Sequence, residues 1–264
     1  MNVFSIASYN ILANAYMRPQ WYAHCCAEAL AASPRVRRLT KKLVAFNADI
    51  FCLQEVEPEV FRSLEAALTP QGFVGLYAQK RRNKPDGCAT FYKNKRFMLK
   101  AQAVHYFEDG GSGGEHSGHL ALQVDLASDE KWVRVINTHL KWDNHNRSNH
   151  LGHQQIGEIM AKQSAIEART HSCIICGDFN APPNHFVLDA LTQHHFIDAY
   201  AHQPQATCNP NQSAKRIDYV FHTPDMQAFP VAIADIADNT PLPSLTEPSD
   251  HLLIAVQFKL GQCR

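Results

Sequence analysis

Cys173-Ile174-Ile175-Cys176-Gly177-Asp178-Phe179-Asn180-Ala181-Pro182-Pro183 is the stretch on which the reading of this chain turns. A short apolar run bounded by Gly and Pro reads as a buried strand running into a loop. Asp178 and Asn180 stand two apart at its end, and an extended backbone past Gly177 directs both to one side. A carboxylate and a carboxamide at the end of a buried strand suit phosphate chemistry. The competing reading is an Asx-turn, in which Asp and Asn side chains bond their own backbone. Taken alone, the stretch does not choose between the two.

Other strand ends carry the same kind of side chain. Phe4 to Tyr9 alternates like a half-buried strand and delivers Asn10, and Ala48 to Gln54 is a short buried strand ending in Glu55. Trp132 to Thr138 ends in His139. Asp218 sits within the apolar run from Arg216 to Phe221, and Ser249-Asp250-His251 precedes Leu252 to Val256. A lone acid beside a strand is ordinarily a solvated end residue. So many strand ends with metal-binding or proton-transfer side chains are hard to explain as independent accidents.

In order and wording these clusters resemble the endonuclease/exonuclease/phosphatase superfamily. Within it the resemblance is to the branch of the CCR4-type deadenylases, nocturnin, the Angel proteins and the 2',5'-phosphodiesterase. The matching pieces are Ser8 to Ala13, Gln54-Glu55-Val56, Lys84-Pro85-Asp86-Gly87-Cys88-Ala89, Asn137 to Leu140, Gly177 to Asn180, Ile217 to Val220 and Ser249-Asp250-His251. They run from the first strand to about residue 258. The Lys-Pro-Asp-Gly-Cys-Ala segment is what points to the deadenylase-like branch. The resemblance implies an α/β (α+β) fold, a four-layer αββα sandwich of two mixed β-sheets with helices outside.

Bulk properties agree with one enzyme domain spanning residues 1–264. A 45% hydrophobic and 19% charged composition argues for a packed core rather than disorder. No run of eighteen or more apolar residues is present. The N-terminal Met-Asn-Val-Phe-Ser-Ile has no basic and apolar leader pattern, so the expected compartment is the cytoplasm, with no membrane association and a monomeric chain. Cys173 and Cys176 have Cys-x-x-Cys spacing, but residues three apart on a strand face opposite sides. The cysteines therefore read as reduced.

Charge is balanced, 25 basic against 25 acidic side chains, which weighs against a protein that grips long nucleic acid everywhere. Arg35, Arg37, Arg38, Lys41 and Lys42 are expected on the solvated face of a helix. Lys80, Arg81, Arg82 and Lys84 precede the Pro-Asp-Gly turn, at what the resemblance makes the active-site rim. Val36, Leu39, Leu43 and Phe46 recur at helical spacing, and Pro58 opens a helix carrying Phe61, Leu64 and Leu68. Strands are expected around 73 to 79, 88 to 93, 97 to 106 and 119 to 126, and helices from about 148 to 168 and 184 to 193. Phe107 to Gly118 has so many glycines that it reads as a mobile loop. His145, His150, His153, His194 and His195 have no thiolate partners and are expected on the surface.

The resemblance implies a Mg²⁺-dependent phosphodiesterase, with Mn²⁺ able to substitute. Mg²⁺ takes a few oxygen ligands and keeps several waters. Glu55 is the first candidate ligand, Asn10 supports it, and Asp250 completes this site or a second one. Asp178 is the candidate water-activating carboxylate and Asn180 holds phosphate or water. Asp218 and His251 form an expected dyad, and His139 is expected to donate to a phosphate oxygen. Order alone does not decide whether Asp178 or His251 takes the water's proton. Lys84, Asp86, Arg82, Trp142 and Arg147 are the candidate substrate contacts. The expected substrate is single-stranded RNA shortened from its 3' end. Small nucleotides such as 2',5'-oligoadenylate or NADP-type dinucleotides are the alternative, and a catalytically silent binding module is the alternative of another class.

Overall fold

The computed structural model describes residues 3–110, 115–128, 131–165 and 172–261. Along the chain run β1 (Val3–Asn10), α1 (Ala27–Leu30), α2 (Ala32–Phe46), β2 (Ile50–Val56), α3 (Pro58–Leu68), β3 (Phe73–Gln79), β4 (Gly87–Lys93), β5 (Met98–Tyr106), β6 (Leu120–Ser128) and β7 (Lys131–His139). There follow α4 (Leu151–Ala165), β8 (Ser172–Asp178), α5 (Asp189–Gln193), β9 (Ile197–Asp198), β10 (Asp218–His222), β11 (Met226–Pro230) and β12 (Ile254–Leu260). The strands form two six-stranded sheets, in the orders β11-β12-β1-β2-β4-β3 and β5-β6-β7-β8-β10-β9. Both are mixed: β1 pairs parallel with β2 and antiparallel with β12, and β7 pairs parallel with β8 and antiparallel with β6.

Alternation along the inner strands builds the layers. In β8, Ile174 and Cys176 enter the core between the sheets, while Cys173 and Ile175 face Ile156 and Ile159 of α4. Cys173 and Cys176 thus do face opposite sides, and among the described residues the cysteines are free. On the other sheet, Phe51 and Leu53 of β2 pack under Leu39 and Leu43 of α2 and Val60, Leu64 and Leu68 of α3. Each such side chain, once fully buried, contributes about 1.5–3 kcal/mol. The outcome is the four-layer αββα sandwich. Pro58 stands at the first turn of α3, where its missing N–H is not needed, and Asn47 closes α2 in the left-handed conformation.

Five expectations need correction. β1 is buried on both faces from Ala7 onward, because it lies inside its sheet and under α2. α4 starts at Leu151, whose N–H is capped by Asp143, and the stretch to 168 lies partly outside the described residues. The 184–193 segment breaks into a 3₁₀ turn, Phe186–Leu188, ahead of α5. In the glycine-rich segment, residues 111–114 lie outside the described residues. Its flanks are fixed, with buried Asp109 accepting from Ser117 N at 2.7 Å and from Gln155 Nε2. His150 is buried against His185 and Phe186, since the loop before α4 folds onto the loop after β8.

Arg35 departs furthest from its expected place. It is 1% exposed, its Nη1 donating to Ile11 O (2.7 Å) and Pro248 O (3.1 Å) and its Nη2 to Leu12 O (2.6 Å) and Asn14 Oδ1 (2.7 Å). The irregular backbone after Asn10 and before Asp250 leaves carbonyls without ladder partners, and a buried carbonyl needs a donor. The guanidinium supplies it, and so ties together two loops that carry candidate site residues.

A second polar tie joins the sheets beneath those loops. Asn137 of β7 donates to Leu53 O (3.1 Å) and Ala89 O (2.9 Å) of the opposite sheet and accepts from Gln54 Nε2 (2.8 Å). An amide this deeply buried is tolerated because both of its ends are bonded.

Candidate active site

Strand register brings the predicted residues to one end of the sandwich. Parallel pairing of β7 and β8 sets His139 opposite Asp178, and antiparallel pairing of β8 and β10 sets Asp178 opposite Asp218. In the facing sheet, Asn10 stands opposite Gln54. The β2–β4 register then shifts between Leu53 and Val56, and Glu55 sits in that irregularity with φ 56°. A left-handed non-glycine residue costs roughly 1–2 kcal/mol. Bulges next to sites re-aim a side chain, and this one directs Glu55 toward Asn10. Gly177 has φ 145°, and a Cβ there would lie 1.8 Å from Thr138 O, so only glycine permits the close approach of β7 and β8.

One carboxamide joins the two sheets at the site. Asn10 Nδ2 donates to Glu55 Oε1 and to Asp178 Oδ2, each at 3.0 Å, while its Oδ1 accepts from Leu12 N at 3.0 Å. The Leu12 N–H fixes the amide's orientation. Asn10 therefore turns nitrogen, not oxygen, toward the carboxylates. In this arrangement the amide orients the two acids. Glu55 Oε2 accepts from Ala13 N at 2.9 Å. Burial, followed by the charges of Asp86 and Asp250, pushes the Glu55 carboxyl up to about 7, with Lys80 opposing. An acid held against other acids is chemistry that a cation relieves. A carboxylate among other carboxylates fits Mg²⁺ better than a site rich in nitrogen or sulfur donors would. Asp250, also expected at the metal, accepts from Tyr22 OH at 2.8 Å.

Asp178 forms the Asx-turn and at the same time joins the polar cluster between the sheets. Its Oδ1 accepts from Asn180 N at 2.9 Å, with Asn180 left-handed at φ 50°, while its Oδ2 takes the Asn10 amide. The backbone past Asp178 is thus curled rather than extended. Asn180 Nδ2 reaches Leu140 O (2.9 Å) and His139 Nε2 (3.2 Å). His251 Nδ1 lies 2.9 Å from Asp218 Oδ2, and Thr207 Oγ1 donates to the same oxygen at 2.6 Å. The other ring nitrogen of His251 is 3.7 Å from Asp178 Oδ2, as is Nε2 of His139.

The two imidazoles differ in charge. Burial alone would lower His251, but the bond to Asp218 and the charges of Asp218, Asp250 and Asp178 raise it well above the usual histidine value. Burial lowers His139 well below that value, and the neighbouring Lys80 cation lowers it further. Burial raises Asp178 to about 6, with His251 opposing and Asp218 adding. At neutral pH the cluster holds an imidazolium beside an ionised Asp178.

The expected substrate contacts divide. Asp86 is fully buried, accepting from Lys80 Nζ (2.7 Å) and Tyr16 OH (2.6 Å), so it supports the site from within. Arg82 is paired with Glu115 and donates to His116 O, and Arg147 is paired with Asp189 over the Phe186 ring. Neither is drawn into the acid cluster. Lys84 is partly buried near Lys80 and Lys141, its amine lowered by burial first and then by those cations. Trp142 is 56% exposed, one residue past Lys141.

Sequence reasoning gave Tyr16 and Tyr22 no part and placed Lys80 at the active-site rim, whereas it is buried beside Asp86. Lys80 was legible: it stands two residues after inward-facing Ala78, so strand alternation turns it inward. The tyrosines lie in short 3₁₀ segments without a periodic signal.

Comparison with known proteins agrees with this fold. A family model described as the endonuclease/exonuclease/phosphatase family matches residues 7–251. The chain is 28% identical to human 2',5'-phosphodiesterase 12, over 96% of this chain and 51% of that protein. It is 26% identical to the CCR4-Not complex 3'-5'-exoribonuclease subunit Ccr4 of Candida albicans, over 94% of this chain and 35% of that protein. The chain thus spans about half the length or less of these relatives. The crystal structure of ANGEL2, described as a 2',3'-cyclic phosphatase, superposes with a TM-score of 0.89 at 21% identity, covering 99% of this chain and 96% of that one. With the family pattern running through nearly every described element, this chain belongs to the endonuclease/exonuclease/phosphatase family.

Proposed function

We propose that this chain is a divalent-metal-dependent phosphodiesterase that shortens single-stranded RNA from its 3' end. The observation that carries the reading is the Asn10 amide, which holds Glu55 and Asp178 in one hydrogen-bonded unit, with His251 Nε2 3.7 Å from the same Asp178 oxygen. Glu55 would hold Mg²⁺, with Asp250 nearby, and Mn²⁺ would substitute. When bound, the ion supplies positive charge to the phosphoryl oxygens. Asp178, ionised at neutral pH, accepts the proton of the attacking water. His251, held charged by Asp218, donates to the phosphoryl group rather than acting as base. Lys84 contributes positive charge at the rim. The activities for which Ccr4 and 2',5'-phosphodiesterase 12 are named support phosphodiester cleavage as the reaction class.

A second reading, small-nucleotide substrates such as 2',5'-oligoadenylate, rests on the rim charges. Arg82 and Arg147 are already paired with Glu115 and Asp189, which leaves little free positive charge for a polymer. The test is a panel of poly(A) with free or blocked 3' hydroxyl, mixed RNA, 2',5'-oligoadenylate and NADP-type dinucleotides, in Mg²⁺ and in EDTA. Stepwise shortening of free-ended RNA, lost in EDTA and on 3' blocking, is expected. Turnover of small nucleotides alone replaces the first reading with the second, and full activity in EDTA overturns both.

A further inference from the structure

Cys208 has no part in the proposed reaction, yet it is built into the wall of the dyad. It bridges antiparallel to His251, and the flanking bonds Asn209 N→Asp250 O (2.8 Å) and Leu252 N→Thr207 O (2.6 Å) make this a non-hydrogen-bonded pair. In such a pair the side chains leave the same face at close range. One donor atom each from Cys208, Asp218 and His251 lies within 4.8 Å of the others, and all three residues are buried. Among the described residues the thiol makes one hydrogen bond, a long one at 3.5 Å to Lys215 O.

We propose that Cys208, Asp218 and His251 form an inhibitory site for Zn²⁺, separate from the Glu55 site. A thiolate, an imidazole and a carboxylate are three ligands of the kind Zn²⁺ takes in tetrahedral sites, with water or a substrate oxygen in the fourth position. Mg²⁺ avoids thiolate, so the two ions do not compete for this set. Burial and the charges of Asp218, Asp178 and Asp250 keep the metal-free thiol protonated. Zinc entry therefore releases the thiol proton and any proton between Asp218 and His251 that occupies a ligating atom. Occupation removes the Asp218 and His251 donors from the dyad, and turnover stops while Glu55 remains free for Mg²⁺. Only the loss of turnover rests on the proposed function; the binding site does not.

The test starts from metal-free protein in saturating Mg²⁺. Zn²⁺ per chain is measured after equilibrium dialysis, and Co²⁺ is added separately to look for a thiolate-to-cobalt charge-transfer band. Cys208→Ala and Cys208→Ser are run beside the unaltered chain, with circular dichroism and melting as fold controls. The site predicts a Co²⁺–thiolate band and Zn²⁺ uptake in the unaltered chain, with both lost in the two variants. The half-inhibiting Zn²⁺ concentration should rise by at least about tenfold in the variants, since losing even a supporting partner of a ligand typically has that effect. A band that persists in both variants, zinc inhibition unchanged by them, or no band at all overturns the site. If no substrate is turned over, the uptake and the band still decide it.

Discussion

Moving the pH from about 8 to about 6 titrates the proposed metal ligand while the rest of the fold stays in place. Glu55 is raised to about 7 by burial and by the charges of Asp86 and Asp250, so its ionised fraction falls from about 0.9 to about 0.1 across that window. Only the carboxylate binds, so the apparent affinity for a divalent ion should drop about tenfold. The sign for stability follows. An acid whose folded-state pKa is raised favours folding fully below its unfolded value and loses that contribution as pH rises through about 7. A bound cation cancels the loss, so the rise in melting temperature on adding metal should grow from pH 6 to pH 8. Mn²⁺ binding read from the free-ion electron paramagnetic resonance signal is the suitable assay, because turnover would also register Asp178, raised to about 6. Glu55→Gln should lower affinity throughout and flatten the profile. An affinity change of less than about threefold in the unaltered chain, or the same slope in Glu55→Gln, refutes Glu55 as the titrating ligand.

Asp218→Asn removes the charge that holds His251 protonated, so the alkaline limb of kcat should move to lower pH and turnover near neutrality fall about a hundredfold; an unmoved limb assigns the imidazole's charge to other neighbours. Arg35→Met strips the donor from the carbonyls of Ile11, Leu12 and Pro248, at about 1–3 kcal/mol each, and urea unfolding should show a loss of about 3–9 kcal/mol. A loss under about 1 kcal/mol would mean water takes over those carbonyls. Lys80→Met leaves Asp86 buried and unpaired and should cost about 3–5 kcal/mol, most of which a second change, Asp86→Leu, should restore. Failure of the double variant to recover would place the value of the pair in the bond from Tyr16 or in the charge beside His139.

What the sequence disclosed, and what it withheld, follows from the range over which each rule acts. Strand alternation is local, so the apolar run before Gly177 places Asp178 at a strand end, and register then sets His139 and Asp218 beside it. Helix periodicity is equally local. It identifies α2 and its buried Leu39 and Leu43, but it cannot say that loops from both ends of the chain close over Arg35. Counting basic residues on that face therefore led to solvent where the structure has a buried clamp. The direction of Glu55, though not the residue, is withheld for another reason: a one-residue irregularity between Gln54 and Val56 leaves no mark when two polar residues are adjacent, yet it decides where the carboxylate points. Asn10 was found as a residue but not the way its amide points, because that direction is set by a partner, here Leu12 N, that pattern does not reveal. The same limit hides Cys208, isolated in sequence from Asp218 and His251 and joined to them by a single bridge between irregular segments. Residue types and strand ends are thus written locally. The hydrogen bonds that turn them into acid, ligand or support are made between segments as far apart as Asn10 and Asp178, and these only the fold supplies.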